Sequence, residues 1–124
     1  MTEDEKQKLI ASLQQEAELI KTELLTFAKP DLSNPGNYIV SVEENDRDQE
    51  GNASDITELE TKTALKDNLL RRLNEINLAL RRIESGEYGK CETCSAPIQS
   101  SRLKVMPVAR ICIDCAKKAN LRES

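Results

Sequence analysis

The last third of the chain contains Cys91-Glu-Thr-Cys94 and, after 17 intervening residues, Cys112-Ile-Asp-Cys115. These two pairs include all four cysteines, and the pattern C-x2-C-x17-C-x2-C lies within the spacing of four-cysteine zinc sites. Each C-x2-C turn lets two thiolates face one ion, so two turns brought together by a short hairpin complete a tetrahedron. Four thiolates leave no position for water. The spacing therefore predicts one structural zinc ion held by Cys91, Cys94, Cys112 and Cys115.

Two disulfides or a redox-active cysteine pair are the alternative interpretations of the same cysteines. Residues 1–6 are acidic and polar and lack the basic and apolar regions of a signal peptide, so we expect a cytoplasmic protein, in which disulfides are rare. A redox C-x2-C normally needs a βαβ context, and the pattern around these pairs does not suggest one. A ribbon of about 35 residues also has too small a hydrophobic core to fold without a cross-link such as a bound metal ion.

Two long helices are predicted ahead of the cysteines, over residues 3–29 and 54–85. In the first, apolar residues follow a heptad spacing: Ile10, Leu13, Ala17, Ile20, Leu24 and Phe27. The second has a similar seam: Leu69, Leu73, Ile76, Leu80 and Ile83. Helix N-caps are expected at Thr2 with Glu5 and at Asp55 with Glu58, and helix ends at Pro30 and Gly86. Helix-stabilising ion pairs are expected at Glu58–Lys62 and Asp67–Arg71.

The predicted fold is mainly α: a long antiparallel two-helix coiled-coil hairpin, a small four-cysteine zinc finger and a short C-terminal helix from Ile113 to about Leu121. The hairpin would form one domain, residues 1–85, and the finger with its helix another, residues 86–124. Parallel homodimerisation is the competing use of the same seams. Residues 30–53 form a long acidic connection that we expect to be mostly mobile, with a possible strand at 38–42 but no clear partner for it.

Composition excludes several classes of function. The chain has no His, so Ser-His-Asp and Cys-His catalysis and histidine metal ligation are excluded, and no residue set supports an enzyme. Three aromatic residues do not make a stacking platform for single-stranded nucleic acid, and no window approaches the roughly 20 apolar residues of a membrane span. Charge is asymmetric: residues 1–60 carry 15 acidic and 5 basic residues, whereas residues 61–124 carry 13 basic and 7 acidic ones.

A family resemblance begins with the stretch from Arg82 to Cys94, RIESGEYGKCETC. It continues through these further residues: Pro97-Ile98, Arg102-Leu103, Pro107, Ala109-Arg110 and Cys112-Ile113-Asp114-Cys115. Over about residues 80–118 this closely resembles the DksA/TraR zinc-finger family of bacteria. The resemblance implies a transcription regulator that binds RNA polymerase rather than DNA. It also implies that the coiled coil enters the secondary channel of the polymerase. There its acidic tip would alter initiation, often together with the alarmone (p)ppGpp.

The tip motif of that family is D-x-x-D-x-A, and its counterpart here is Asn52-Ala-Ser-Asp55-Ile-Thr57. Asp55 matches, while Asn52 and Thr57 replace the first Asp and the Ala. A zinc-ribbon nucleic-acid-binding protein is a second hypothesis, because the C-terminal half is basic. Four thiolates with one zinc ion reduce that charge by about two, however, so we do not expect direct DNA binding. An adaptor coiled coil without a polymerase role is a third hypothesis.

Overall fold

The computed structural model describes residues 2–40 and 53–123, with side chains described at 2–40 and 56–119. In chain order, the elements are α1 (Glu3–Leu25), β1 (Ala28–Pro30), β2 (Tyr38–Val40), α2 (Ala53–Ser85), α3 (Ser100–Val105) and α4 (Ile113–Glu123). The acidic run of residues 43–50, which we expected to be mobile, lies outside the described residues.

Helix α1 begins at the predicted cap, because the N–H of Glu5 donates to Oγ1 of Thr2 at 3.2 Å. The prediction that this helix continues to residue 29 is wrong, since it ends at Leu25. The hydroxyl of Thr26 donates to the carbonyl oxygen of Glu23 at 2.6 Å, and the N–H of Phe27 donates to that of Leu24 at 3.2 Å. These tight turns satisfy the last carbonyl groups and release the chain into an extended conformation before Pro30.

A β-hairpin follows α1 where the sequence predicted a mostly mobile connection with one possible strand. Ala28 pairs with Val40 and Pro30 with Tyr38 in an antiparallel register, so the predicted strand does have a partner over the part that the structure describes. The side chain of Asp31 organises the turn: Oδ1 accepts from Ser33 N–H at 3.0 Å. It also accepts from the Ser33 hydroxyl, at 2.7 Å. These bonds, together with one from the Asn37 side chain, lower the pKa of Asp31 because they favour the ionised carboxylate.

Helix α2 extends over nearly the predicted range. It begins at Ala53, which places Asp55 in the first turn instead of at the N-cap position that the sequence suggested. It ends at Ser85, and Gly86 follows with a φ of +84°, as expected for a glycine that terminates a helix. The expected Glu58–Lys62 ion pair is confirmed, with 2.8 Å between Glu58 Oε1 and Lys62 Nζ.

Asp67 and Arg71 were the second expected ion pair on α2, but their side chains have other partners. Oδ1 of Asp67 is 3.8 Å from Nζ of the preceding Lys66, and Nη1 of Arg71 donates to Oδ1 of Asn68 at 3.4 Å. Arg71 thus uses the neighbour three residues before it, not the one four residues before it.

The two long helices bury matching apolar stripes within a single chain. The buried residues are Leu13, Ala17, Ile20 and Leu24 on α1, with Leu73, Ile76, Ala79 and Ile83 on α2. The burial differs from the predicted seam in detail, since Ala79 is buried whereas Leu69 and Leu80 are only half-buried. An ion pair also joins the helices, with 2.8 Å between Arg72 Nε and Glu16 Oε1. These features confirm the antiparallel two-helix hairpin.

The chain divides into two compact units, and the boundary between them falls within the helices. One unit comprises Met1–Leu13 with Glu75–Ser124, and the other comprises Gln14–Asn74. The division into domains at residues 85 and 86 stays a prediction. Within the described ranges, no helix combines the length and the apolar character needed to cross a membrane.

Candidate metal centre

The four cysteines converge on one point in the finger. Their sulfur atoms all lie within 4.8 Å of one another, and all four are free thiols. Two distances are shorter, at 3.6 Å between the sulfurs of Cys91 and Cys115 and 3.7 Å between those of Cys94 and Cys112. A tetrahedral zinc ion with Zn–S bonds of about 2.3 Å requires sulfurs about 3.8 Å apart. These two distances match that requirement, and the 4.8 Å limit on the others keeps all four sulfurs within reach of one ion.

The first cysteine pair sits in a tight turn closed by backbone hydrogen bonds. The N–H of Cys91 donates to the carbonyl oxygen of Ala96 at 2.8 Å, and that of Ser95 donates back to Cys91 at 3.0 Å. Ser95 adopts a positive φ of 63°, which lets the chain reverse directly after Cys94. The N–H of Thr93 points at the sulfur of Cys91, 3.4 Å away. This turn, residues 91–96, is called the first knuckle below.

The second pair is positioned by the start of α4. Cys112 precedes this helix and Cys115 lies in its first turn, where the N–H of Cys115 is 3.5 Å from the Cys112 sulfur. The N–H of Ala116 donates to the carbonyl oxygen of Cys112 at 2.9 Å. The start of a helix favours thiolates because its free N–H groups carry partial positive charge. The predicted C-terminal helix thus also positions two metal ligands.

Close packing of the sulfurs affects how readily individual thiols in the cluster ionise. Burial opposes ionisation of Cys91, but backbone hydrogen bonds from Cys112, Cys94 and Thr93 outweigh it and lower the pKa of this thiol to about 6. The neighbouring sulfurs of Cys112 and Cys91 raise the pKa of Cys115 to about 12. A bound dication reverses this repulsion. With four sulfur ligands and no open position, the residues fit one structural zinc ion.

The segment between the cysteine pairs differs from the hairpin that the sequence suggested. It contains the short helix α3, and the strand-like pairing there is a single bridge between Lys90 and Pro97. Buried side chains of Ile98 and Val108 fill the interior of the finger. Sequence reasoning missed α3 because a helix of six residues has too few turns to show an apolar period.

The predicted tip residues are described only in part. Asn52 lies outside the described residues, and Asp55 is placed as part of α2 without its side chain. Thr57 is exposed in the same part of the helix.

Comparison with known proteins places this site in a family. The model of the prokaryotic dksA/traR C4-type zinc finger matches residues 86–120, which include all four cysteines. The chain is 30% identical over 118 residues to the RNA polymerase-binding transcription factor DksA of Caulobacter vibrioides, a match that covers 95% of this chain and 75% of that protein. The chain therefore belongs to the DksA/TraR zinc-finger family, and its finger is of the C4 type with one structural zinc ion.

Other relatives match over shorter or similar ranges. The DksA protein of Buchnera aphidicola is 34% identical over 58 residues, which is 47% of this chain and only 38% of the length of that relative. Among solved structures, transcription factor DksA2 from Pseudomonas aeruginosa superimposes with a TM-score of 0.61 at 27% identity, covering 97% of this chain and 81% of that one. The likeness in fold thus extends through the hairpin as well as the finger.

Proposed function

We propose that this protein is a transcription regulator that binds bacterial RNA polymerase, with the coiled-coil tip entering the secondary channel of the enzyme. The observation that carries the proposal is the 118-residue match to a relative named as an RNA polymerase-binding transcription factor. That match includes the helical hairpin, so it is not limited to a zinc finger that unrelated proteins could share. The proposed role is binding, not catalysis.

The charge distribution supports this mode of binding. The acidic half of the chain, residues 1–60, includes the connection between the helices, and the basic half includes the finger. An acidic hairpin end suits a channel lined with basic groups, and the closed zinc site makes the finger a structural element. Phosphate repulsion by the acidic half disfavours the alternative of a nucleic-acid-binding ribbon. A requirement for (p)ppGpp stays a prediction from the family resemblance.

Transcription measured with purified RNA polymerase and an Asp55→Asn variant tests the proposed tip. Because Asp55 lies in the first turn of α2, loss of its charge changes helix stability by only about 0.3–1 kcal/mol. We therefore expect nearly unchanged helicity and a clearly weaker effect on transcription. The matched control is Asp67→Asn, which removes the same charge from a 59% exposed carboxylate farther along the helix.

Full activity of Asp55→Asn beside an active parent protein would exclude Asp55 as the tip carboxylate. The acidic segment 43–50 would then be the next candidate. The D-x-x-D-x-A spacing also fits Asp48 to Ala53, which keeps the first Asp and the Ala while Gly51 replaces the second Asp. An Asp48→Asn variant measured in parallel distinguishes the two registers. If the parent protein affects transcription and both variants do so just as strongly, the acidic-tip mechanism is wrong.

A further inference from the structure

Arg82, in the last turn of α2, is tied to the residues around the first zinc ligand. Its Nη1 atom donates to Oε1 of Glu92 at 3.0 Å. Its Nη2 atom donates to the carbonyl oxygen of Glu87 at 3.0 Å and also to that of Lys90. The carbonyl oxygen of Arg82 in turn accepts the N–H groups of Glu87 and Tyr88 at 2.9 and 3.0 Å. One residue at the end of the helix thus has five hydrogen bonds to the start of the finger.

Two partners of the Arg82 guanidinium are the immediate neighbours of Cys91. Lys90 precedes that ligand, and Glu92 lies inside the first knuckle, where its N–H also donates to the carbonyl oxygen of Arg110 at 2.9 Å. The guanidinium therefore contacts the backbone directly before this zinc ligand and the side chain directly after it. Arg82 provides no sulfur and does not bind metal itself.

The geometry differs from that of an ordinary surface ion pair. The Arg82 side chain is only 16% exposed, and its planar guanidinium reaches three separate acceptors. Exposed ion pairs contribute little to stability, whereas charge-assisted hydrogen bonds from a partly buried guanidinium are stronger and more directional. The compact ammonium of a lysine has a different geometry and does not reproduce this fork.

We infer that Arg82 is a positioning residue that couples zinc binding by the first knuckle to the C-terminal turn of α2. A knuckle held by zinc presents Glu92 and the Lys90 carbonyl group to the guanidinium, and the guanidinium in turn holds Cys91 in place for zinc. Such coupling is reciprocal, so weakening the contacts of Arg82 weakens zinc binding by the same factor as zinc loss weakens those contacts. This inference does not depend on polymerase binding.

Zinc affinity, measured by competition with a chromophoric chelator, tests the coupling in Arg82→Lys and in the control Arg81→Lys. Arg81 is the exposed neighbour on the same helix turn, so its substitution makes the same chemical change without disturbing the knuckle. We expect the zinc dissociation constant of Arg82→Lys to rise at least fivefold, with that of Arg81→Lys unchanged. An affinity of Arg82→Lys within twofold of the control would overturn the inference, even if thermal stability falls.

A second measurement covers the case in which Arg82→Lys folds poorly. Glu92→Gln leaves Arg82 intact and removes only the charge of its carboxylate partner, so it should raise the zinc dissociation constant by a smaller factor. In the parent protein, removing zinc with a chelator should also speed hydrogen exchange at the amides of Glu87 and Tyr88, which bond to Arg82. Unchanged exchange at those amides, together with unchanged affinity in Glu92→Gln, would contradict the coupling.

Discussion

Ile76→Ala tests whether α1 and α2 pair within one chain. Ile76 is 0% exposed in the single chain, so the apolar surface that covers it belongs to the same molecule. The substitution removes three carbon groups, each contributing about 0.8 kcal/mol when buried. The cavity left behind adds to that loss, which places the expected destabilisation at about 2–5 kcal/mol. This is a large fraction of the roughly 5–15 kcal/mol typical of small proteins.

The assay is urea unfolding of the zinc-loaded protein, followed by circular dichroism at two or more protein concentrations. We expect the midpoint to fall while the slope stays constant, since the native fold is retained. The control is Leu65→Ala on the same helix, where the side chain is 40% exposed and about 0.5 kcal/mol or less is expected. Equal small losses in both variants would refute the buried seam. A parent midpoint that rises steeply with protein concentration would instead indicate a dimer.

Three further predictions follow from the zinc site, the seam and the β-hairpin. Metal analysis should find about one zinc ion per chain of the parent protein. Cys91→Ser should lose most of its zinc because one of the four sulfur ligands is gone, and a fully metallated Cys91→Ser protein would contradict the four-sulfur site. Leu73→Asp, which buries an unpaired charge at a position 6% exposed, should lower helicity and stability, and an unchanged melting curve would argue against the seam. The pKa of Asp31 is lowered, so the stability that its carboxylate gives to the β-hairpin is present above about pH 4 and is lost as pH falls through the folded pKa. The nuclear magnetic resonance signals of Ser33 and Asn37 should therefore shift in acid. The same acid shift in Asp31→Ala would show that another group is responsible.

The zinc site was predictable from the sequence because its information is local. Two C-x2-C turns carry their own geometry, and the structure brings together all four predicted ligands. The contribution of Arg82 was not predictable in the same way. Its partners are backbone carbonyl groups and a carboxylate ten residues ahead, and no spacing rule relates a guanidinium to such acceptors.

The hairpin of helices was also predictable, because apolar residues repeat over many turns, but its ends were not. Phe27 continues the heptad spacing, yet the helix has already ended at Leu25. Extended pairing of Lys29 with Ile39 competes with further helix there, and such pairing depends on residues ten positions away. Apolar periodicity within one segment carries no information about that competition.

Binding of the purified, zinc-loaded protein to purified core RNA polymerase tests the central proposal most directly. The measurement is the amount of chain that comigrates with polymerase in size-exclusion chromatography, at low and physiological salt, with excess unlabelled DNA as a competitor. The proposal predicts a stable complex with about one chain per polymerase that survives the DNA competitor. An absence of comigration under both salt conditions, with a well-folded and fully metallated chain, would contradict it.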